Sequence, residues 1–293
     1  MNDPVVPAEP SVPETASAPA VPSHVTLNNG VTMPRVGFGL WGFTDESVRP
    51  VVAEALAAGY RRFDTGDSYG NEAGLGRALR ESGVPREDVF VTSKVYRAKG
   101  RDATLRAYEA STARVGMDVL DLYLVHWPMP DPELTLGAWS ALRELLEDGR
   151  VRAVGVSNFY EADLRRLLAH SSLVPAVDQI ELHPWCAQRR QRELNAELGI
   201  VTEAWGPLGR GRGLLEVPDL DRVARRHGRS RAQIVLRWHA QLGNAVNPKS
   251  TDPRRMRENL HIDDFALDAD DLAALARLDE GRLVGPVAPP FPF

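Results

Sequence analysis

The chain has 293 residues, of which 43% are hydrophobic and 26% charged, and this is enough apolar material for one large domain or two smaller ones. Its formal net charge of −5 argues against a binding surface for nucleic acid or for an anionic membrane. No apolar run reaches the length of a membrane span, and the single cysteine, Cys186, excludes an internal disulfide framework and favours a reducing, cytoplasmic location.

Residues 1–22 differ in composition from the rest of the chain. They contain six prolines together with alanine, serine and acidic residues, but no lysine or arginine. Such a segment buries too little apolar surface to fold, and it lacks the basic start and apolar stretch of a signal peptide. We therefore predict a disordered leader over 1–22 and one folded domain over 23–293.

The folded part begins with a predicted β-hairpin, because Asn29-Gly30 lies between two short strand-like stretches. Eight short strand-like runs follow, most of them apolar, and helix-like segments separate most of them. The runs cover 36–40, 61–63, 89–93, 120–125, 151–156, 176–180, 200–204 and 245–247. Strands that alternate with helices indicate a parallel sheet with helices outside it. Eight repeats predict the α/β class, as a single (β/α)8 TIM barrel with an N-terminal hairpin.

A glycine pattern offers another fold. Gly37, Gly39 and Gly42 match G-x-G-x-x-G, and Asp64 follows at about the distance that a dinucleotide-binding doubly wound fold requires. However, residues 43–46 indicate that the next helix begins only after a further loop, so the third glycine is not at a helix start. A lone match of this kind is weak, and the barrel is the better interpretation.

Polar or large side chains lie in or just after the carboxyl ends of most predicted strands. They are Asp64, Lys94, His126, Ser157, Asn158, Gln179, Trp205 and Lys249. A barrel gathers these strand ends on one face, where the active sites of such folds lie. Only three of the 35 basic residues are lysines, and two of those three belong to this set. The sequence therefore predicts one site at one end of the barrel.

Four residues in this region suit proton transfer to a carbonyl oxygen: Asp64, Tyr69, Lys94 and His126. Tyrosine is a weak acid with an ordinary pKa of about 10, and a nearby ammonium group lowers that pKa. We expect Lys94 to do this, with Asp64 holding its ammonium in place. Tyr69 would then donate the proton, and His126 would orient the carbonyl oxygen. Each residue alone has an ordinary structural explanation, but the four together favour catalysis.

Other catalytic patterns do not occur. The chain has no Tyr-x-x-x-Lys of the short-chain dehydrogenases, no H-E-x-x-H and no G-x-S-x-G. Cys186 has no cysteine partners, so we predict no metal site.

The motifs at 63–72, 92–94, 125–128, 155–159, 179–184 and 248–250 resemble, in this order, those of the aldo-keto reductases. The resemblance runs from about residue 25 to 283, and the run at 204–209 is similar to the bacterial branch that includes 2,5-diketo-D-gluconic acid reductase. It implies a barrel enzyme that reduces aldehydes and ketones with NADPH, and it gives the four residues the roles described above. It also implies a monomer.

The segment after the eighth run predicts where the cofactor phosphates bind. Asp252 and Pro253 suit a helix start, which would direct free amides toward an anion. Lys249, Ser250 and Arg255 would add charge and donors suited to an adenosine 2′-phosphate, which favours NADPH over NADH. Further cofactor contacts are for the most part implied by the resemblance. In this segment they are Thr251, Glu258 and Asn259, and at the carboxamide group of the nicotinamide they are Ser157, Asn158 and Gln179. Asp64 is a further contact, and a segment that would cover the cofactor consists of Trp205, Gly206, Pro207, Leu208 and Gly209.

The predicted substrate pocket is aromatic, with Trp41 and Trp127 beside Tyr69 and His126. Such a pocket suits a small aldehyde, diketone or keto-sugar acid. The alternative function is an NADPH-binding, redox-sensing barrel without significant turnover, and the intact catalytic set argues against it. An isomerase or aldolase on a similar barrel would leave the cofactor motif unexplained. Asn247 stands where relatives usually have an apolar residue, and we expect it to change the packing of the cofactor loop.

Overall fold

The computed structural model describes residues 21–96 and 100–286, so nearly all of the predicted leader lies outside the described residues. The predicted hairpin is present: strand β1, His24–Thr26, pairs antiparallel with β2, Thr32–Pro34. Gly30, with a φ of +85°, supplies the left-handed residue that the three-residue turn needs.

Eight parallel strands follow the hairpin, each paired with the next in chain order. They are β3 Phe38–Gly39, β4 Arg62–Asp64, β5 Phe90–Val95, β6 Leu120–Val125, β7 Val151–Ser157, β8 Val177–Glu181, β9 Val201–Trp205 and β10 Ala245–Asn247. A parallel bridge between Val36 and Val246 joins the first strand region to the last. This bridge closes the sheet, so the predicted (β/α)8 barrel is confirmed and the doubly wound alternative is wrong.

Helices surround the barrel. They are α1 Asp45–Ala58, α2 Glu72–Glu81, α3 Arg101–Val115, α4 Pro132–Glu147, α5 Glu161–His170, α6 Arg189–Glu197, α7 Pro218–His227, α8 Arg231–Gln241, α9 Pro253–Leu260 and α10 Ala269–Ala276. Helix α4 begins at Pro132 because the Asp131 side chain caps it and proline suits the first turn of a helix. Over residues 21–96 and 100–286, no helix is both long and apolar enough to cross a membrane.

The hairpin covers one end of the barrel and leaves the other end for the predicted site. Val25, Leu27 and Met33 belong to one buried cluster with interior residues such as Leu122 and Ala245. Further along the interior the side chains become polar and charged, although they remain buried. This change from apolar to charged side chains leads directly to the carboxyl ends of the strands.

Candidate active site

The four predicted catalytic residues lie together at the carboxyl ends of the strands. The Nζ atom of Lys94 lies 2.7 Å from both carboxylate oxygens of Asp64 and 2.8 Å from the carbonyl oxygen of Thr65. It also lies 3.3 Å from the hydroxyl oxygen of Tyr69. The ring of His126 meets that of Tyr69 edge-on, with 5.7 Å between the centroids. The sequence thus identified a real cluster of side chains.

The loop that carries Tyr69 is held by a buried asparagine. The Asn71 amide donates to the carbonyl oxygens of Leu40 and Phe43, and its side-chain oxygen accepts from the hydroxyl of Thr65. Asn71 is fully buried. Buried amides with satisfied hydrogen bonds fix a loop in one conformation. Tyr69 therefore sits on a rigid support.

The electrostatics of Tyr69 and Lys94 reflect two opposing effects. Burial raises the pKa of Tyr69, and the charge of Lys94 lowers it without fully offsetting the burial. Burial also disfavours the Lys94 ammonium, but Asp64 and Tyr69 outweigh this and raise the pKa of Lys94. The expected influence of Lys94 on Tyr69 is thus present in sign, although desolvation decides the net direction. Lys94 remains charged.

His126 is held as a neutral imidazole. Burial lowers its pKa well below the ordinary value, and the charge of Lys94 lowers it further. Its ring also meets that of Tyr96 edge-on, at 5.4 Å between centroids. The side-chain amide of Asn158 donates to the backbone carbonyl of His126, at 2.9 Å. A neutral imidazole can donate one N–H to a carbonyl oxygen but is a poor source of a proton.

The three residues predicted to hold a carboxamide form one hydrogen-bonded group. Ser157 donates its hydroxyl to the backbone oxygen of Gln179 and accepts from the amide of Asn158. The indole N–H of Trp205 donates to the side-chain oxygen of Asn158, at 2.9 Å. The Gln179 amide nitrogen donates to Asp64 and to Glu203, and its amide oxygen accepts no hydrogen bond from the described residues. That oxygen is a free acceptor for an amide N–H.

Two cations lie near each other at the rim of the barrel. Lys249 donates to the backbone oxygen of Trp41, at 2.8 Å, and its Nζ lies 4.2 Å from the centroid of the Phe43 ring. The guanidinium of Arg210 lies 4.4 Å from the centroid of the Trp41 ring and 5.9 Å from that of Trp205. Neither cation has an acidic partner within the described residues. Burial, and then the charge of Arg210, lowers the pKa of Lys249. The pair can bind an anion.

The start of α9 differs from the expectation of free amides. The carboxylate of Asp252 accepts from the backbone amides of Arg254 and Arg255, so these two amides are already satisfied. The prediction that they face an anion is wrong in this respect, because an aspartate cap competes for the same donors. The side chains remain available: Arg255 is exposed, 3.8 Å from Asp252.

The other predicted cofactor residues lie around these groups. Glu258 pairs with Arg254 at 3.7 Å, Asn259 is buried, and Ser250 accepts from the amide of Asp252. The cover segment, Gly206, Pro207, Leu208 and Gly209, follows β9 directly and leads to Arg210, while Thr251 is exposed beside the start of α9.

The predicted substrate tryptophans have different environments. Trp41 is 56% exposed, which is unusual for a tryptophan and typical of a binding surface. Trp127 is 8% exposed and follows His126 directly. A third tryptophan, Trp185, is also buried and has the guanidinium of Arg282 at 3.9 Å from its ring centroid. Of the three, only Trp41 presents a large open face.

Sequence reasoning missed two groups of residues near the site. Arg62 and Glu203 are fully buried and charged inside the barrel, and Arg210 lies between two tryptophans at the rim. A charge within an apolar strand run was the available signal for the first two, because such a residue is expected only where it has a partner. Nothing in the local sequence distinguishes Arg210 from a surface arginine.

Comparison with known proteins agrees with this geometry. A model of the aldo/keto reductase family matches residues 35–280. The chain belongs to this family. An aldo-keto reductase of Mycobacterium sp. (strain KMS) is 48% identical over 270 residues, which are 92% of this chain and 98% of that protein. The methylglyoxal reductase DkgA of Escherichia coli O157:H7 is 40% identical over 271 residues, 91% of this chain and 97% of its own.

A solved structure is similar to this chain over almost the whole fold. The crystal structure of a Gox0644 mutant in complex with NADPH superposes with a TM-score of 0.85 and 41% identity, covering 93% of this chain and 97% of that one. The predicted family resemblance is confirmed, and so is the predicted class, an NADP-dependent oxidoreductase.

Proposed function

We propose that this aldo-keto reductase reduces aldehydes and ketones to alcohols with NADPH, and that Tyr69 donates the proton. One observation carries the proposal: the Tyr69 hydroxyl lies 3.3 Å from the Nζ atom of Lys94, which both oxygens of Asp64 hold at 2.7 Å. An acid beside a fixed ammonium group is the arrangement that general acid catalysis requires. The match to a structure that contains NADPH supports the choice of cofactor.

The residues present fit NADPH. Lys249 and Arg210 are cations without acidic partners among the described residues, and they suit the cofactor phosphates. The free amide oxygen of Gln179 suits the carboxamide N–H of the nicotinamide, and Ser157 and Asn158, which the resemblance assigns to the same group, are hydrogen-bonded beside it. Thr251, Arg255, Glu258 and Asn259 complete the proposed adenosine side. When bound, NADPH supplies the hydride.

The side chains then divide the work at the carbonyl oxygen. His126, being neutral, donates an N–H to that oxygen and orients it. As the oxygen gains negative charge, Tyr69 transfers its hydroxyl proton to it, and the product is an alcohol. The ammonium of Lys94 stabilises the resulting phenolate, and Asp64 keeps that ammonium charged and in place.

The proposed substrate is a small aldehyde, diketone or keto-sugar acid bound beside Trp41 and Trp127. An aromatic surface binds such compounds without sharp discrimination. One relative is named a methylglyoxal reductase, which favours a small dicarbonyl compound. We further propose that the protein is a monomer, as the family resemblance implies. The single free cysteine, Cys186, supports a reducing compartment such as the cytoplasm.

The test is oxidation of NADPH, and of NADH for comparison, with a panel of small aldehydes, diketones and keto-sugar acids. Wild type and Tyr69→Phe are measured together, and NADPH binding is followed by fluorescence. We expect wild type to turn over and Tyr69→Phe to bind NADPH normally while losing activity by about 10³-fold. Tight NADPH binding without turnover on any carbonyl would support the redox-sensing alternative. Failure to bind NADPH would refute both.

A further inference from the structure

A buried ion pair lies inside the barrel beneath the catalytic cluster. Arg62 on β4 and Glu203 on β9 are both fully buried, and Nη1 of Arg62 lies 3.5 Å from a carboxylate oxygen of Glu203. Asn247 on β10 joins them, since its side-chain oxygen accepts from Arg62 at 3.0 Å and its amide donates to Glu203. One group of polar contacts thus connects β4, β9 and β10.

The backbone leaves room for this group. A Cβ atom on Gly37 would lie 2.4 Å from Nε of Arg62 and 2.4 Å from the side-chain oxygen of Asn247. Any side chain at this position would collide with both groups. The buried Arg62 guanidinium therefore explains why position 37 is a glycine. It also explains why position 247 is a polar residue, because the Asn247 side-chain oxygen accepts from this guanidinium.

The ion pair is connected to the catalytic cluster through one amide. The side-chain nitrogen of Gln179 donates to Asp64 at 2.9 Å and to Glu203 at 3.0 Å. Both of its protons are therefore used, one on each carboxylate. Asp64 in turn holds Lys94, and Lys94 contacts Tyr69. A continuous chain of polar contacts leads from Arg62 to the proposed proton donor.

The charges in this chain balance. Asp64 and Glu203 carry two negative charges, and Lys94 and Arg62 carry two positive ones. Burial, together with the charge of Asp64, raises the pKa of Glu203 above its ordinary value, and the charges of Arg62 and Lys94 offset only part of this rise. Glu203 in turn raises the pKa of Lys94. In a buried site, a change in any one charge is felt by the others, because little water is present to screen it.

We propose that Glu203, held by Arg62 and Asn247, is a positioning residue for the reaction: through Gln179 it fixes Asp64, and through Asp64 it sets the orientation and charge environment of Lys94 and Tyr69. This inference rests on the proposed carbonyl reduction. Stability alone does not account for the ion pair, because a buried pair is often no more stabilising than apolar side chains of similar volume.

The test compares Glu203→Gln, Glu203→Asp and the double variant Glu203→Gln with Arg62→Met. Glu203→Gln removes one negative charge, so the interior becomes more positive and the phenolate form of Tyr69 is favoured. We expect a loss of kcat of about 10-fold, with the alkaline limb of the reduction rate moved to lower pH by about half a unit. Removing both charges in the double variant should return the limb toward its wild-type position.

Glu203→Asp keeps the charge but withdraws it from Gln179, so kcat should fall while the limb stays in place. Asp178→Asn is the control for replacing a buried acid by its amide beside Gln179 without a change of charge at neutral pH, because burial raises the pKa of Asp178 to about 8. Asp178 precedes Gln179 and is also buried, but its carboxyl group accepts from Gln191 and Asn195 instead of contacting the catalytic cluster. It should leave kcat and the pH profile unchanged.

If Glu203 had a purely structural role, Glu203→Gln would have lower thermal stability but the same alkaline limb in its pH–rate profile as wild type. That result would overturn the proposal. A double variant that keeps the shifted limb would do the same. Ultraviolet titration of Tyr69, read as the difference from Tyr69→Phe, gives a readout without turnover. If wild type reduces no carbonyl, the proposed function fails, while this titration still decides whether Glu203 acts on Tyr69.

Discussion

The ammonium of Lys94 and the carboxylate of Asp64 form a symmetric contact, with Nζ 2.7 Å from each carboxylate oxygen. Lys94 is fully buried and Asp64 is 4% exposed. Each group is therefore the counter-ion that the other needs in a site with little water. Tyr69 meets this pair from one side and Gln179 from the other.

Lys94→Met removes one half of the pair and leaves the Asp64 carboxylate buried without its cation. We expect the free energy of unfolding to fall by roughly 3–5 kcal/mol. Carbonyl reduction should fall by at least about 100-fold, because Tyr69 loses the charge that stabilises its phenolate. Urea denaturation and steady-state kinetics measure the two effects separately.

Lys94→Arg is the matched control, because it keeps the charge and changes the shape. The space around Nζ is bounded by Asp64, the Thr65 carbonyl and the Tyr69 hydroxyl. A planar guanidinium does not fit the same contacts, so we expect a loss of kcat of about 100-fold with stability closer to wild type. Full activity in Lys94→Arg would show that only charge matters at this position.

Arg210 is expected to contribute to NADPH affinity. Its guanidinium lies over Trp41 and has no acidic partner among the described residues, so it is free to bind phosphate. Arg210→Gln should weaken NADPH binding by about 3- to 10-fold at low salt and less at high salt, because salt screens exposed charges. Arg212→Gln, at an exposed neighbouring position, is the control. Equal losses of NADPH affinity in both variants would indicate that the positive charge of this region acts at long range and that Arg210 makes no specific contact with the phosphate.

Asp178 should make stability depend on pH. Burial raises the pKa of Asp178 to about 8, although hydrogen bonds from Asn195 and Gln191 lower it in part. The pKa of an aspartate in an unfolded chain is about 3.9, so between these two pKa values the folded protein holds a proton that the unfolded chain has released. Stability therefore falls as the pH rises through this interval.

Asp178→Asn removes this dependence. The free energy of unfolding should be nearly unchanged at about pH 4.5 and should rise, on the order of 2 kcal/mol, at about pH 9. Urea denaturation of both proteins at each pH provides the measurement. A variant that is less stable than wild type at the higher pH would show that the carboxylate is favourable as an ion, contrary to this prediction.

Glu181 is expected to hold the segment that precedes the C-terminal residues. One oxygen of its carboxylate accepts from the backbone amides of Val284 and Gly285, at 2.7 and 2.9 Å. Gly285 lies against the ring of Trp205, since a Cβ atom on it would be 2.3 Å from that ring. Glu181→Gln should weaken these charge-assisted hydrogen bonds.

The measurement is hydrogen exchange of the two amides, which should become about 10-fold faster in Glu181→Gln. The amide of Arg282, which donates to the backbone oxygen of Trp185, serves as the internal control. Unchanged exchange at Val284 and Gly285 would mean that other contacts hold this segment.

The sequence predicted the barrel because its signals are local. Most strands are short apolar runs, and each predicted catalytic residue lies in or shortly after a predicted strand. The Arg62–Glu203–Asn247 group could not be predicted in this way, since it joins residues up to 185 positions apart. The contact of Lys249 with Trp41 spans 208 positions. The cap of α9 at Asp252 was predicted correctly, but the expectation of free amides at this helix start was wrong, because the Asp252 carboxylate accepts from the amides of Arg254 and Arg255.

The pH dependence of hydride transfer in a single turnover, measured for wild type, Tyr69→Phe and Tyr96→Phe, tests the role of Tyr69 as the proton donor. Tyr96 also contacts the ring of His126, at 5.4 Å, so it controls for the loss of a hydroxyl near the site. We predict that Tyr69→Phe slows hydride transfer by about 10³-fold and removes the alkaline limb of its pH profile. Tyr96→Phe should keep the rate within about 3-fold of wild type and retain that limb. Hydride transfer by Tyr69→Phe at the wild-type rate, with the same limb, would contradict the assignment of Tyr69 as the proton donor.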